Sequence, residues 1–136
     1  MKTYKFYLIL LLSFVTNSFA QNENIFDFFQ SKFYEINVYK INVEVLGEGE
    51  PIVFLAGGPG NSHDYMQGNF GKYYKTNKVI FIDFLGRGLS DDAKDKWEYS
   101  VANDVEILEG VRKVLNLEKF SIVGHSYGTV HAQAYI

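Results

Sequence analysis

There is no cysteine among the 136 residues. Neither a disulfide nor a cysteine-linked lipid can therefore hold the chain, and stability has to come from packing. There is no excess of positive charge either. The formal net charge is -3, which gives no electrostatic reason to expect nucleic acid or an anionic membrane surface as a partner. The short run Lys72-Tyr73-Tyr74-Lys75, with Lys78, mixes basic and aromatic residues but reads as the solvated end of a helix. No apolar run reaches the roughly 20 residues that span a bilayer. The histidines and carboxylates fall into no zinc or calcium spacing, so neither a metal nor an organic cofactor is expected. Repeats, low-complexity tracts and linkers are also missing, which leaves room for one domain.

What is present begins with a targeting pattern. Lys2 and Lys5 precede the apolar run Phe6 to Val15, and Ser18-Phe19-Ala20 leads into polar Gln21. This order of basic, apolar and small residues predicts a secretory signal peptide over residues 1–20. The expected product is an exported protein, periplasmic or extracellular, with residues 21–136 as its globular part and no stable membrane anchor after cleavage.

Residues 22–30 hold Ile25, Phe26, Phe28 and Phe29 without a clean period and stay unassigned. From Lys32 to Leu46 the dense β-branched and aromatic residues predict two short strands around a turn near Tyr39-Lys40. Three further strands, Ile52 to Leu55, Val79 to Ile82 and Phe120 to Val123, are almost wholly apolar, as parallel strands covered on both faces are. Ser100 is placed to cap a helix running to about Leu117, with Val101, Val105, Leu108, Val111 and Leu115 as its buried stripe. Strand, helix and strand form a crossover unit, which predicts an α/β fold with a mostly parallel, doubly wound sheet. Residues 129–136 read as a helix with no closing turn. The expectation is the N-terminal half of a larger sheet, with Phe120 to Val123 as an apolar edge that invites association.

Three motifs carry chemistry. Gly124-His125-Ser126-Tyr127-Gly128 sits between a strand and a helix, where flanking glycines permit the strained turn that presents a nucleophilic serine. The helix that follows aims its N-terminal dipole at a developing oxyanion. Leu55-Ala56-Gly57-Gly58-Pro59-Gly60 also ends a strand, and a loop without side chains lets backbone N–H groups approach such an oxygen. Gly58 and Tyr127 are the expected donors. A phosphate loop is the other use of such a sequence, but no Walker or Gly-x-Gly-x-x-Gly pattern is present, and Pro59 lacks a donor. The third motif, Asp83-Phe84-Leu85-Gly86-Arg87-Gly88-Leu89-Ser90, reads as structural. Asp83 accepts from turn amides while Gly86 and Gly88 supply unusual backbone angles.

In order and spacing these motifs resemble the α/β-hydrolase superfamily. Gly57-Gly58-Pro59-Gly60-Asn61-Ser62-His63-Asp64-Tyr65 followed by Asp83 to Ser90 looks like the proline iminopeptidase (prolyl aminopeptidase) family, from about Tyr34 to Ile136. Ala56 stands where that family usually has histidine, and His125 where many members have another residue. The resemblance implies a serine hydrolase that releases N-terminal residues from peptides, with the triad acid, the triad histidine and the cap domain after Ile136. Asp83 precedes the serine, whereas the triad order in this fold is serine, acid, histidine, so Asp83 is not the triad acid. None of His63, His125 and His131 is expected to serve as base, and a chain ending at Ile136 is expected to be inactive alone. An esterase or lipase-like hydrolase would share every motif, and a non-catalytic binding module could keep the same scaffold. A peptide or small-molecule substrate, rather than nucleic acid, is the expected partner.

Overall fold

In the computed structural model, which describes residues 28–136, the β-branched and aromatic segments pair into one five-stranded sheet of order β1-β2-β4-β3-β5. The expected signal peptide lies outside the described residues. The strands are β1 (Ser31–Ile36), β2 (Tyr39–Leu46), β3 (Pro51–Leu55), β4 (Lys78–Ile82) and β5 (Ser121–Gly124). The helices are α1 (Asp64–Phe70), α2 (Val101–Val114) and α3 (Gly128–Tyr135), with 3-10 turns at Gly71–Lys75 and Lys96–Glu98. β3 runs parallel to both β4 and β5, whereas β2 is antiparallel to β1 and to β4.

Successive side chains of a strand face opposite sides, and here both sides are covered. Val53, Leu55, Ile80 and Ile82 pack with Ile107, Leu108 and Val111 of α2. Phe54, Val79 and Phe81 pack with Met66 of α1 and with Phe29. This double winding is why β3 and β4 read as continuous apolar runs. The unassigned lead-in ends as a docked arm: Phe29 meets the edge of Phe81 at 5.2 Å between ring centroids, and Phe28 stacks on Tyr74 at 6.0 Å. The basic and aromatic run forms the 3-10 turn after α1, with Tyr73 stacked on Phe54.

Three local expectations are corrected. The hairpin turn is Asn37-Val38, not Tyr39-Lys40: Ile36 pairs with Tyr39, and both loop residues have positive φ, 51° and 69°. That is the twist a two-residue hairpin loop demands. Tyr39 instead begins β2, buried, with its hydroxyl on Glu98. Secondly, α2 ends at Val114, because Asn116 turns left-handed at φ 53° and Leu117 N–H returns to the Arg112 carbonyl. Ser100 caps the helix, accepting from Asn103 N–H. Thirdly, the buried face of α2 is Asp104, Ile107, Leu108 and Val111, with Val101, Val105 and Leu115 only half-buried. The face is rotated because Asp104 is drawn inward by Arg87 and His131.

Val38 is β-branched, 69 % exposed and left-handed, a conformation that costs an L-residue roughly 1–2 kcal/mol. Val38→Gly is expected to raise stability by about 1 kcal/mol, since few contacts are lost. Urea denaturation checks this, and an unchanged or lower midpoint would contradict the turn geometry.

Candidate active site

The turns that follow β3, β4 and β5 all leave the carboxyl edge of the sheet, the rim where open α/β sheets bind ligands. After β5 the chain reverses through His125, Ser126 and Tyr127 into α3. Ser126 is exposed and takes φ 51°, a left-handed conformation uncommon for a residue with a side chain. Hydrogen bonds fix the turn from both sides. His125 N–H donates to the Leu55 carbonyl at 3.0 Å, Gly128 N–H to the His125 carbonyl at 2.8 Å, and Thr129 N–H to the Ser126 carbonyl at 3.0 Å. The Thr129 hydroxyl adds a bond of 2.6 Å to the same Ser126 carbonyl.

Gly124 and Gly128 are required for proximity, since neither has positive φ. A Cβ on Gly124 would lie 2.5 Å from the Gly128 carbonyl oxygen, and one on Gly128 would lie 2.2 Å from that of Leu55. The loop after β3 is pressed against the same turn. A Cβ on Gly57 would sit 2.8 Å from Cβ of Ser126 and 2.8 Å from both the Nδ1 and the carbonyl oxygen of His125. Only a residue without a side chain lets this loop lie alongside the serine. Gly58 is left-handed at φ 74°, Pro59 turns its carbonyl to Arg87 Nε at 2.6 Å, and Gly60 has open space where a Cβ would be.

Which amides remain free follows from the bonds made. Gly57 N–H donates to the Tyr65 hydroxyl at 2.6 Å, and that hydroxyl also lies 2.8 Å from His125 Nδ1. Among the described residues, neither Gly58 N–H nor Tyr127 N–H has a partner within the protein, and the Ser126 hydroxyl is in no hydrogen bond.

Asp83, at the end of β4, is buried and accepts four hydrogen bonds: His63 N–H at 3.0 Å, His63 Nδ1 at 2.8 Å, Asn42 Nδ2 at 3.0 Å and Leu89 N–H at 3.2 Å. Gly86 and Gly88 have φ 67° and 51°, and a Cβ on Gly88 would fall 2.0 Å from the Asp83 carboxylate. The other ring nitrogen of His63 faces Glu44 Oε2 at 3.2 Å, and Gln67 also donates to Glu44. Burial works to lower the His63 pKa, but the hydrogen bonds and charges of Asp83 and Glu44 win and push it up to about 9. Burial would raise both carboxylates, yet their bonds to His63 hold Asp83 and Glu44 below their ordinary values. His63 is thus an ion-paired clamp between the loop after β3 and the turn after β4.

The third histidine is also engaged. His131 is buried on α3 with Nε2 2.9 Å from Asp104 Oδ2, the oxygen that Arg87 NH1 reaches at 2.8 Å. Among the described residues, no group of three or more His, Asp or Glu is arranged to hold a metal ion, and no helix is long and apolar enough to cross a membrane. Three residues that support the site, Tyr65, Arg87 and Asp104, carry no role in the sequence reading. The available signals were an aspartate inside an otherwise apolar helical stripe and an arginine between two glycines.

Both the sequence and the fold are similar to those of known proteins. A family model described as the alpha/beta hydrolase fold matches residues 50–136. A proline iminopeptidase from Saccharolobus solfataricus is 39% identical over 110 residues, 76% of this chain and 34% of that protein. Among solved structures, a proline iminopeptidase-related protein from Thermus thermophilus superposes with a TM-score of 0.73 at 24% identity, over 79% of this chain and 39% of that one. An epoxide hydrolase from Vigna radiata does so with 0.71 at 18%, over 80% and 35%; at these identities the two structures speak for the fold alone. The chain spans about a third of the length of the curated relatives it matches. With a matching family model over more than half its residues, and with its three glycine-rich turns gathered on one rim of a doubly wound sheet, the chain belongs to the α/β-hydrolase fold family.

Proposed function

We propose that this chain is the nucleophile-bearing part of an exported serine hydrolase that releases N-terminal residues from peptides, as its proline iminopeptidase relatives are named for doing. One observation carries the serine assignment: Ser126 holds a left-handed backbone, φ 51°, in an exposed turn between β5 and α3. Such strain persists only where surrounding structure enforces it, and it gathers at reactive positions. In this reading Ser126 Oγ attacks the substrate carbonyl, and the unpartnered amides of Gly58 and Tyr127 donate to the resulting oxyanion. Hydroxyl attack needs a base, and the base an orienting carboxylate. His63 and His131 are committed to buried carboxylates and His125 to Tyr65, so in this proposal the base and the carboxylate that orients it come from the remainder of a longer protein, the chain spanning about a third of its curated relatives' length.

The full product of the gene, treated with a fluorophosphonate probe, is expected to be labelled, and Ser126→Ala to abolish labelling. Persistent labelling of Ser126→Ala, or an unlabelled parent, would sink the assignment. A proline naphthylamide and a p-nitrophenyl ester, compared on the labelled enzyme, separate peptidase from esterase. Faster turnover of the ester with no release from the amide would overturn the peptidase part alone.

A further inference from the structure

We infer that Arg87 is a positioning residue for the oxyanion site, fixing the Gly58 amide and coupling it to the helix that follows the nucleophile. The inference rests on the serine-hydrolase reading for its catalytic consequence, though not for its geometry. Gly58 is bracketed on both sides. Before it, Gly57 N–H is tied to the Tyr65 hydroxyl at 2.6 Å; after it, the Pro59 carbonyl is tied to Arg87 Nε at 2.6 Å. With Pro59 rigid in φ, holding its carbonyl leaves the left-handed Gly58 little freedom to turn its N–H away.

The other end of the guanidinium reaches a different layer. Arg87 NH1 donates to Asp104 Oδ2 on α2, and the same oxygen takes His131 Nε2 from α3. The His131 ring stands edge-on to Tyr127, 4.9 Å between centroids, and packs 5.0 Å from Phe84, over which the guanidinium also lies. One planar fork therefore spans the turn after β4, the loop after β3 and, through Asp104, the helix behind the serine. Arg87 is 8 % exposed and Asp104 1 %. Among the described residues the ionisable side chains bonded together here are these two and His131, whose Nδ1 is buried without a partner. An ammonium matches the charge of this fork but not its geometry.

The test uses the full gene product and two variants, Arg87→Met and Arg87→Lys, with folding checked by circular dichroism and thermal melting. For Arg87→Met the maximal rate of fluorophosphonate labelling is expected to fall about 100-fold, the loss typical of one misplaced oxyanion donor. The probe concentration for half-maximal rate should move less than about 3-fold, because ground-state binding does not use the hole. Arg87→Lys, which carries the test if the methionine variant fails to fold, is expected to stay at least about 5-fold slow. A lysine variant at the parental rate would mean that only charge balance matters, and would overturn the proposal. The amide resonances of Gly58 and Tyr127, followed in nitrogen-15-labelled protein, provide a readout independent of activity. If the parent is not labelled, the serine reading has failed, and shifted Gly58 and Tyr127 amides in Arg87→Lys still uphold the positioning role, whereas unmoved ones refute it.

Discussion

Gly128→Ala is expected to destabilise the protein by about 3 kcal/mol, at the upper end of what overpacking costs, and to abolish labelling of Ser126. The added methyl would sit 2.2 Å from the Leu55 carbonyl oxygen, 2.8 Å from its carbon and 2.9 Å from the Ala56 carbonyl oxygen. All three are backbone atoms of the strand end and loop that support the site, so no side chain can swing aside. The first turn of α3 must back away from β3, which breaks the bond from His125 N–H to the Leu55 carbonyl. Gly60→Ala is the matched control. Open space surrounds its missing Cβ, and a change within about 0.5 kcal/mol is expected, as for surface sites generally. Urea denaturation of both variants beside the parent decides the matter. Equal losses would mean that glycine flexibility, rather than close approach, explains position 128.

Asp83→Ala is expected to cost about 4 kcal/mol, the range for removing one partner of a buried ion pair, because it strands His63, Asn42 and two backbone N–H groups at once. The same cluster makes stability depend on pH with a definite sign. His63 is pushed up to about 9 from an ordinary 6.5. Its contribution is fully present below about 6.5 and is lost as pH rises through about 9, an amount on the order of 3 kcal/mol. Asp83 and Glu44 are held below their ordinary 3.8 and 4.5, so their contribution is present above those values and lost as pH falls through the folded ones. Thermal melting should therefore give a plateau between about pH 4.5 and 6.5 and a decline toward pH 10, with the alkaline decline much reduced in Asp83→Ala. A parent protein equally stable at pH 6 and pH 10 would show that His63 is not held in its charged form.

The cluster also marks where sequence stops being sufficient. Strand existence and fold class were legible, since Val53 to Leu55 and Val79 to Ile82 are apolar for the reason expected, two covered faces. The polar positions of β2 take their meaning only from tertiary contacts. In Ile41-Asn42-Val43-Glu44-Val45 strict alternation would suit one solvated face, yet Asn42 is 1 % and Glu44 7 % exposed, because His63, at the N-cap of α1, and Gln67, within it, lie over that face. Partners brought from 13 to 41 residues away, such as Ser31, His63 and Gln67 for Glu44 and Asp83 for Asn42, cannot be found by periodicity. The hairpin turn lies two residues before its expected place for a related reason: nothing in valine advertises the left-handed backbone that Val38 adopts, so the residue conceals a turn that asparagine followed by glycine would announce. At the site, the residues read from the motifs all lie on one rim of the sheet. Those that brace it, Tyr65, Arg87 and Asp104, have meaning only once three separate elements are assembled.

Because the three motif-bearing turns share the carboxyl rim, the opposite rim is left for other uses. Glu48, Gly49 and Glu50 before β3, and Glu118 and Lys119 before β5, are exposed there, separated from Ser126 by a strand length of roughly 15 Å. A fluorophore, an affinity tag or a tether joined at that rim would sit a strand length away from the three turns and touch none of the residues that form them, which makes it the natural handle for labelling the protein without disturbing that edge.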